Sequence, residues 1–173
     1  CLLSRGLGDV YKRQGYGPGG KPLAVEIRYN TNANHERVAT AIADMWSTVL
    51  GANVTLTNLD VSSHYAYLQE GGAFNVARAG WVADYADPEN FLALSLSSNK
   101  TFNYAHWSNA EFDALMAQSY NERDVEKRSG LMHQAETILM QEQPVVPLMN
   151  TASLWLVSDK VSGWEDNLSL IHI

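Results

Sequence analysis

The 173-residue sequence contains one cysteine, Cys1, at its very end. No internal disulfide can close, and cysteine usage leaves the redox compartment open. Long apolar runs are also missing. None approaches the roughly 18 residues that suggest a membrane span, and the best candidate, Leu148 to Val157, is interrupted by Asn150, Thr151 and Ser153. The start of the chain lacks the basic and apolar regions of a secretory signal, offering only Cys1, Leu2 and Leu3 before Ser4 and Arg5. Cations are in the minority, with twelve Lys and Arg against nineteen Asp and Glu and a net charge of −7. That balance excludes a general basic field for nucleic acid or anionic membrane.

Catalytic signatures are scarce as well. His35-Glu36 opens a zincin pattern, but Ala39 stands where the second histidine ligand belongs. The five histidines are scattered without cysteine companions, which argues against structural zinc. No phosphate loop ending in Lys-Ser or Lys-Thr is found, and no Gly-x-Ser-x-Gly elbow. Gly15, Gly17 and Gly20 imitate a dinucleotide fingerprint, yet they precede the first strand instead of following one. Neither a metal nor a cofactor is expected. Asp84 and Asp87 could serve as acid and base of a hydrolase; capping and loop roles explain the same two carboxylates more simply.

What is present is an alternation of strand and helix patterns. Leu23 to Tyr29 alternates as a half-buried strand, followed by a helix capped by Asn32 or Asn34, with Val38, Ile42, Met45, Trp46 and Val49 at helical spacing. Gly51 can end that helix in a left-handed turn, and Val54 to Leu59 alternates again. A short helix over Ser62 to Glu70 and a strand over Phe74 to Trp81 follow, then a loop rich in Asp, Pro and aromatics from Val82 to Phe91. The second half predicts helices over Asn109 to Tyr120 and Asp124 to Gln141, then two short β-type runs, Val145 to Met149 and Leu154 to Val157. The expected class is α/β, one unit with a mixed sheet and packed helices.

The remaining constellation is of binding type. Between Val76 and Tyr85 a strand carries a cation, an aromatic and a carboxylate toward the end of a sheet, where open α/β folds place ligands. A carboxylate such as Asp84 beside an aromatic such as Trp81 or Tyr85 suits an ammonium group, through a charge-assisted hydrogen bond and cation–π attraction. Arg78 either neutralises a carboxylate elsewhere on the same ligand or pairs with Asp84 or Asp87 inside the protein. Spacing leaves both readings open.

The segment FNVARAGWVADYADPENFL, Phe74 to Leu92, resembles the signature stretch of the C-terminal lobe of oligopeptide-binding proteins, the solute-binding components of bacterial peptide ABC importers. The likeness continues in LAVEIRYNTNANHERVATAIADMWSTVLGANVTL, EFDALMAQSY, DVEKRSGLMHQAETILMQEQPVVPLM and SLWLVSDKVSGW, in the expected order. The ends differ: Cys1 to Gln14 and Leu168 to Ile173 resemble translated sequencing adapter. The expectation is therefore a non-native flank over 1–14, a truncated C-terminal lobe over 15–167, and a second flank over 168–173.

The resemblance implies one lobe of a bilobed periplasmic-binding-protein fold of type II. It implies a monomeric, non-enzymatic protein of the periplasm, or one held outside the cell by a lipoprotein anchor, that captures oligopeptides and delivers them to ABC permease subunits. By match to the motif, Asp84 would take the peptide's α-ammonium, and Arg78 would face the C-terminal carboxylate or its surroundings for ligands of a suitable length. His35 would offer a further positive group for longer peptides, and Trp81 and Tyr85 would wall the cleft. Val82 and Ala86 depart from the usual signature, which puts the pocket chemistry near the amine in doubt. A relative binding a dipeptide, murein peptide, nickel complex or opine on the same fold is the alternative.

Overall fold

The computed structural model describes residues 15–16, 20–21, 23–150 and 156–163. The adapter-like ends lie outside them, as does part of the run Leu154 to Val157. The chain divides into two compact units, Cys1–Gly80 and Trp81–Ile173, where the sequence had suggested one.

In the first unit β1 (Ala24–Asn30) leads into α1 (Ala33–Leu50), β2 (Asn53–Leu59), α2 (Val61–Gln69) and the short β3 (Val76–Ala77). Asn32 caps α1, its side chain accepting from the Asn34 and His35 amides, and Gly51 closes it with φ 64°. A side chain there would be strained in the left-handed region, which is why glycine serves. Asp60 caps α2 through the Ser63 amide. The three strands pair in parallel in the order β2-β1-β3, with Ile27 opposite Leu56 and Val76. Alternation puts Ile27 and Tyr29 in the core with Ala39 of α1, and Ile42, Trp46, Val54 and Val76 complete the packing. Met45 and Val49, expected on the packed face of α1, are instead exposed. Between the core positions, Arg28 donates to Glu26 at 3.0 Å and lies 4.1 Å over the Tyr67 ring. Thr57 donates to the other Glu26 oxygen at 2.6 Å.

β3 is much shorter than the expected Phe74 to Trp81. The Asn75 side chain accepts from the Glu26 amide ahead of the ladder, and Arg78 donates its amide to the Arg28 carbonyl at its end.

The second unit is helical: α3 (Glu89–Leu92), a 3₁₀ turn (Ala93–Ser95), α4 (Ala110–Asn121) and α5 (Val125–Glu142). Asn109 and Asp124 cap the two long helices through their side chains. Phe112 and Met116 are fully buried with Leu92, Met132, Ala135 and Leu139, and Trp107 packs edge-on to Phe112 at 5.0 Å. Each large side chain so buried contributes about 1.5–3 kcal/mol. The run Val145 to Met149 is not a strand. Pro147 removes a ladder donor from it and Pro144 stands just before it, and Val145, Val146, Leu148 and Met149 stay exposed. Among the described residues no helix is long and apolar enough to cross a membrane.

Candidate functional site

The five residues singled out in the sequence fall into two groups, one in each unit. The first forms where β1 ends, at the carboxyl end of the parallel strands. Asn30 is its hub, 5% exposed, and faces two of the expected residues at once. Its side-chain oxygen accepts from Arg78 Nη1 at 3.2 Å. Its carbonyl oxygen lies 3.2 Å from His35 Nδ1, which must carry the proton because a carbonyl only accepts. Arg78 Nη1 also donates to the Tyr65 hydroxyl at 2.9 Å.

Arg78 is half-buried, and among the described residues of its unit its guanidinium meets neutral oxygens only. Such a cation keeps its charge available for an anion. Gly80 makes room for it, since a Cβ there would stand 2.7 Å from Nη2. Beneath it, His64 is 1% exposed and donates from Nε2 to the Arg78 carbonyl at 2.9 Å. Burial holds the His64 imidazole below its usual value, and the charges of Arg78, Arg28 and His35 act in the same direction.

The second group is the loop that enters α3. Its hub is Asn90, 7% exposed on α3. Asn90 Oδ1 accepts from Trp81 Nε1 at 2.7 Å and from the Asp84 amide at 3.2 Å. Trp81 also meets Phe102 edge to face at 4.9 Å. With its backbone so held, Asp84 stands exposed, and among the described residues its carboxylate has no hydrogen-bond or ion-pair partner. The Tyr85 hydroxyl donates to Glu89, whose other oxygen accepts from Tyr120 at 2.8 Å. The bond to Glu89 raises the Tyr85 phenol, while burial is the main cause of the rise at Tyr120.

Asp87 is committed. It caps the Glu89 amide at 2.9 Å and takes a bidentate ion pair from Arg128 at 2.7 and 3.0 Å. The Arg128 bond holds its carboxyl below the usual range, so it is a poor proton donor for a hydrolase. Arg128 is thus the cation that pairs with Asp87, a place the sequence had left open to Arg78. Asn30, His64, Tyr65 and Asn90 were not evident in the sequence. The one available signal was position, a polar residue closing an alternating strand in Asn30 and one following Asp-Pro in Asn90.

Comparison with known proteins places the chain in a family. Residues 6–103, more than half of the chain, match the model for the middle region of bacterial extracellular solute-binding proteins, family 5. The chain is 37% identical to the periplasmic murein peptide-binding protein MppA of Escherichia coli, over 88% of its own length and 28% of that protein's. It is 35% identical to the probable deoxycholate-binding periplasmic protein YgiS of the same organism, over 90% and 28%. The crystal structure of Haemophilus influenzae OppA in complex with RPPGFSPFR superposes with a TM-score of 0.75 at 36% identity, covering 81% of this chain and 27% of that one. The chain therefore spans a little over a quarter of the relatives it matches, with the same α/β arrangement. It belongs to the bacterial extracellular solute-binding proteins of family 5.

Proposed function

We propose that this chain is part of the C-terminal lobe of a bilobed, monomeric binding protein. In this reading the protein captures oligopeptides in the periplasm and hands them to the permease subunits of an ABC importer, with no chemistry of its own. The observation that carries the reading is the Asp84 carboxylate, exposed and without a partner among the described residues, on a loop whose backbone is tied down. A carboxylate kept free in this way is matched to an ammonium, with Tyr85 and Trp81 supplying aromatic surface. Arg78, solvated by neutral oxygens, takes a carboxylate of the ligand, and His35 adds positive charge for longer peptides.

The test uses the full-length protein that carries this segment. Asp84→Asn is expected to weaken peptides with free amino termini at least tenfold while leaving their N-acetylated counterparts within about twofold, the difference of one charge-assisted bond. Equal losses for both would remove Asp84 from this role. The likeness to a probable deoxycholate-binding protein keeps a second reading, the same fold with a different solute. A ligand without an ammonium would leave Asp84→Asn without effect.

A further inference from the structure

Asp84 owes its presentation to one buried oxygen two turns of chain away. The core of the second unit anchors α3 through Leu92, 7% exposed among Phe112, Met116 and Leu139. Pro88 starts that helix and Asp87 caps its Glu89 amide, so the position of Asn90 follows from the core. From there Asn90 Oδ1 reaches back to two points of the segment before the helix, to the Trp81 indole at 2.7 Å and the Asp84 amide at 3.2 Å. Two donors on one oxygen fix both the aromatic wall and the carboxylate's backbone.

We infer that Asn90 is the positioning residue of the ammonium subsite, setting the discrimination between free and blocked amino termini through Trp81 and Asp84 without touching the ligand. The inference rests on the reading of Asp84 given above. A packing residue would alter stability or affinity for all ligands alike. A positioning residue alters the ratio of affinities, because only the ammonium depends on where the Asp84 carboxylate stands.

The test measures, by calorimetry on the full-length protein, the dissociation constants of one tripeptide with an acetylated and with a free amino terminus, taken as the ratio of the first to the second. Asn90→Ala is expected to lower their ratio about tenfold, the scale of one lost hydrogen bond to a charged site. Asn90→Asp, which keeps an acceptor oxygen in place, is expected to hold the ratio within about twofold of the parent. Should Asn90→Ala fail to fold, the ratio is read on Asn90→Ser, whose hydroxyl falls short of both donors. An unchanged ratio in the folded variant, or a ratio lost equally in Asn90→Asp, overturns the inference. Asp84→Asn run alongside separates the two ideas. If it leaves the ratio unchanged the reading of Asp84 fails, and if it alone lowers the ratio only the role of Asn90 fails.

Discussion

Arg128 grips Asp87 with both terminal nitrogens, across 41 residues of sequence, and so ties the loop that carries Asp84 to α5. Both side chains are under a third exposed, 28% and 29%. The pair also explains why Asp87, next to the candidate site, is unavailable to a ligand.

Breaking this clamp should cost stability in a pH-dependent way. Asp87→Asn is expected to destabilise by about 1 kcal/mol at pH 7, the upper range for a partly exposed pair. The folded carboxyl titrates below its usual value near 3.8. The contribution is therefore present above that value and lost as pH falls through the folded one. Denaturant unfolding of parent and variant at pH 7 and at pH 2.5 checks this, since the gap between them should close in acid.

His64 predicts the opposite group chemistry with a similar direction. His64→Leu keeps the volume but leaves the Arg78 carbonyl without its donor, at a cost of about 1–3 kcal/mol at pH 8. The folded imidazole titrates below 6.5 because it is buried beside Arg78, Arg28 and His35. Folding thus resists its protonation, and stability from His64 is full above about pH 6.5 and declines as pH falls below it. Thermal unfolding between pH 8 and 5 should show the parent losing its advantage over the variant.

Gly80→Ala tests the cradle of Arg78. The new methyl would stand 2.7 Å from Nη2 and 3.2 Å from Cζ, displacing the guanidinium from Asn30 and Tyr65. The end of a flexible side chain can move, so stability should change by less than about 1 kcal/mol. Peptides with a free C-terminal carboxylate should bind several-fold more weakly and C-terminal amides as before. Titration of the two forms decides it.

Phe112→Ala removes the centre of the helical unit. Phe112 is 0% exposed and packs in one cluster with Leu92, Met116, Met132, Ala135 and Leu139. A loss of about 3–5 kcal/mol is expected, seen as a large fall in the unfolding midpoint by circular dichroism.

Much of the fold was legible because local chemistry marks its boundaries. Asn32, Asn109 and Asp124 cap the helices they precede, and Gly51 supplies the left-handed closure of α1. The strands β1 and β2 follow from the alternation over Leu23 to Tyr29 and Val54 to Leu59. Other features escaped for physical reasons. α3 has four residues, too few for any helical period, and owes its place to Asp87, Pro88 and the burial of Leu92. The run Phe74 to Trp81 looks like a full strand, but only Val76 and Ala77 find ladder partners on β1. In the site, the chemically charged residues Asp84 and Arg78 stood out, whereas Asn30 and Asn90 did not. Their roles exist only through tertiary pairs such as Asn30 with Arg78, 48 residues apart, which leave no local pattern.

Mass spectrometry of the ligands that co-purify with the full-length protein tests the central claim most directly. The account predicts a mixture of short peptides with unmodified amino termini, displaced when Asp84 is replaced by Asn. A bile acid, a haem or another solute without an ammonium group, recovered in stoichiometric amount and retained by Asp84→Asn, would contradict it.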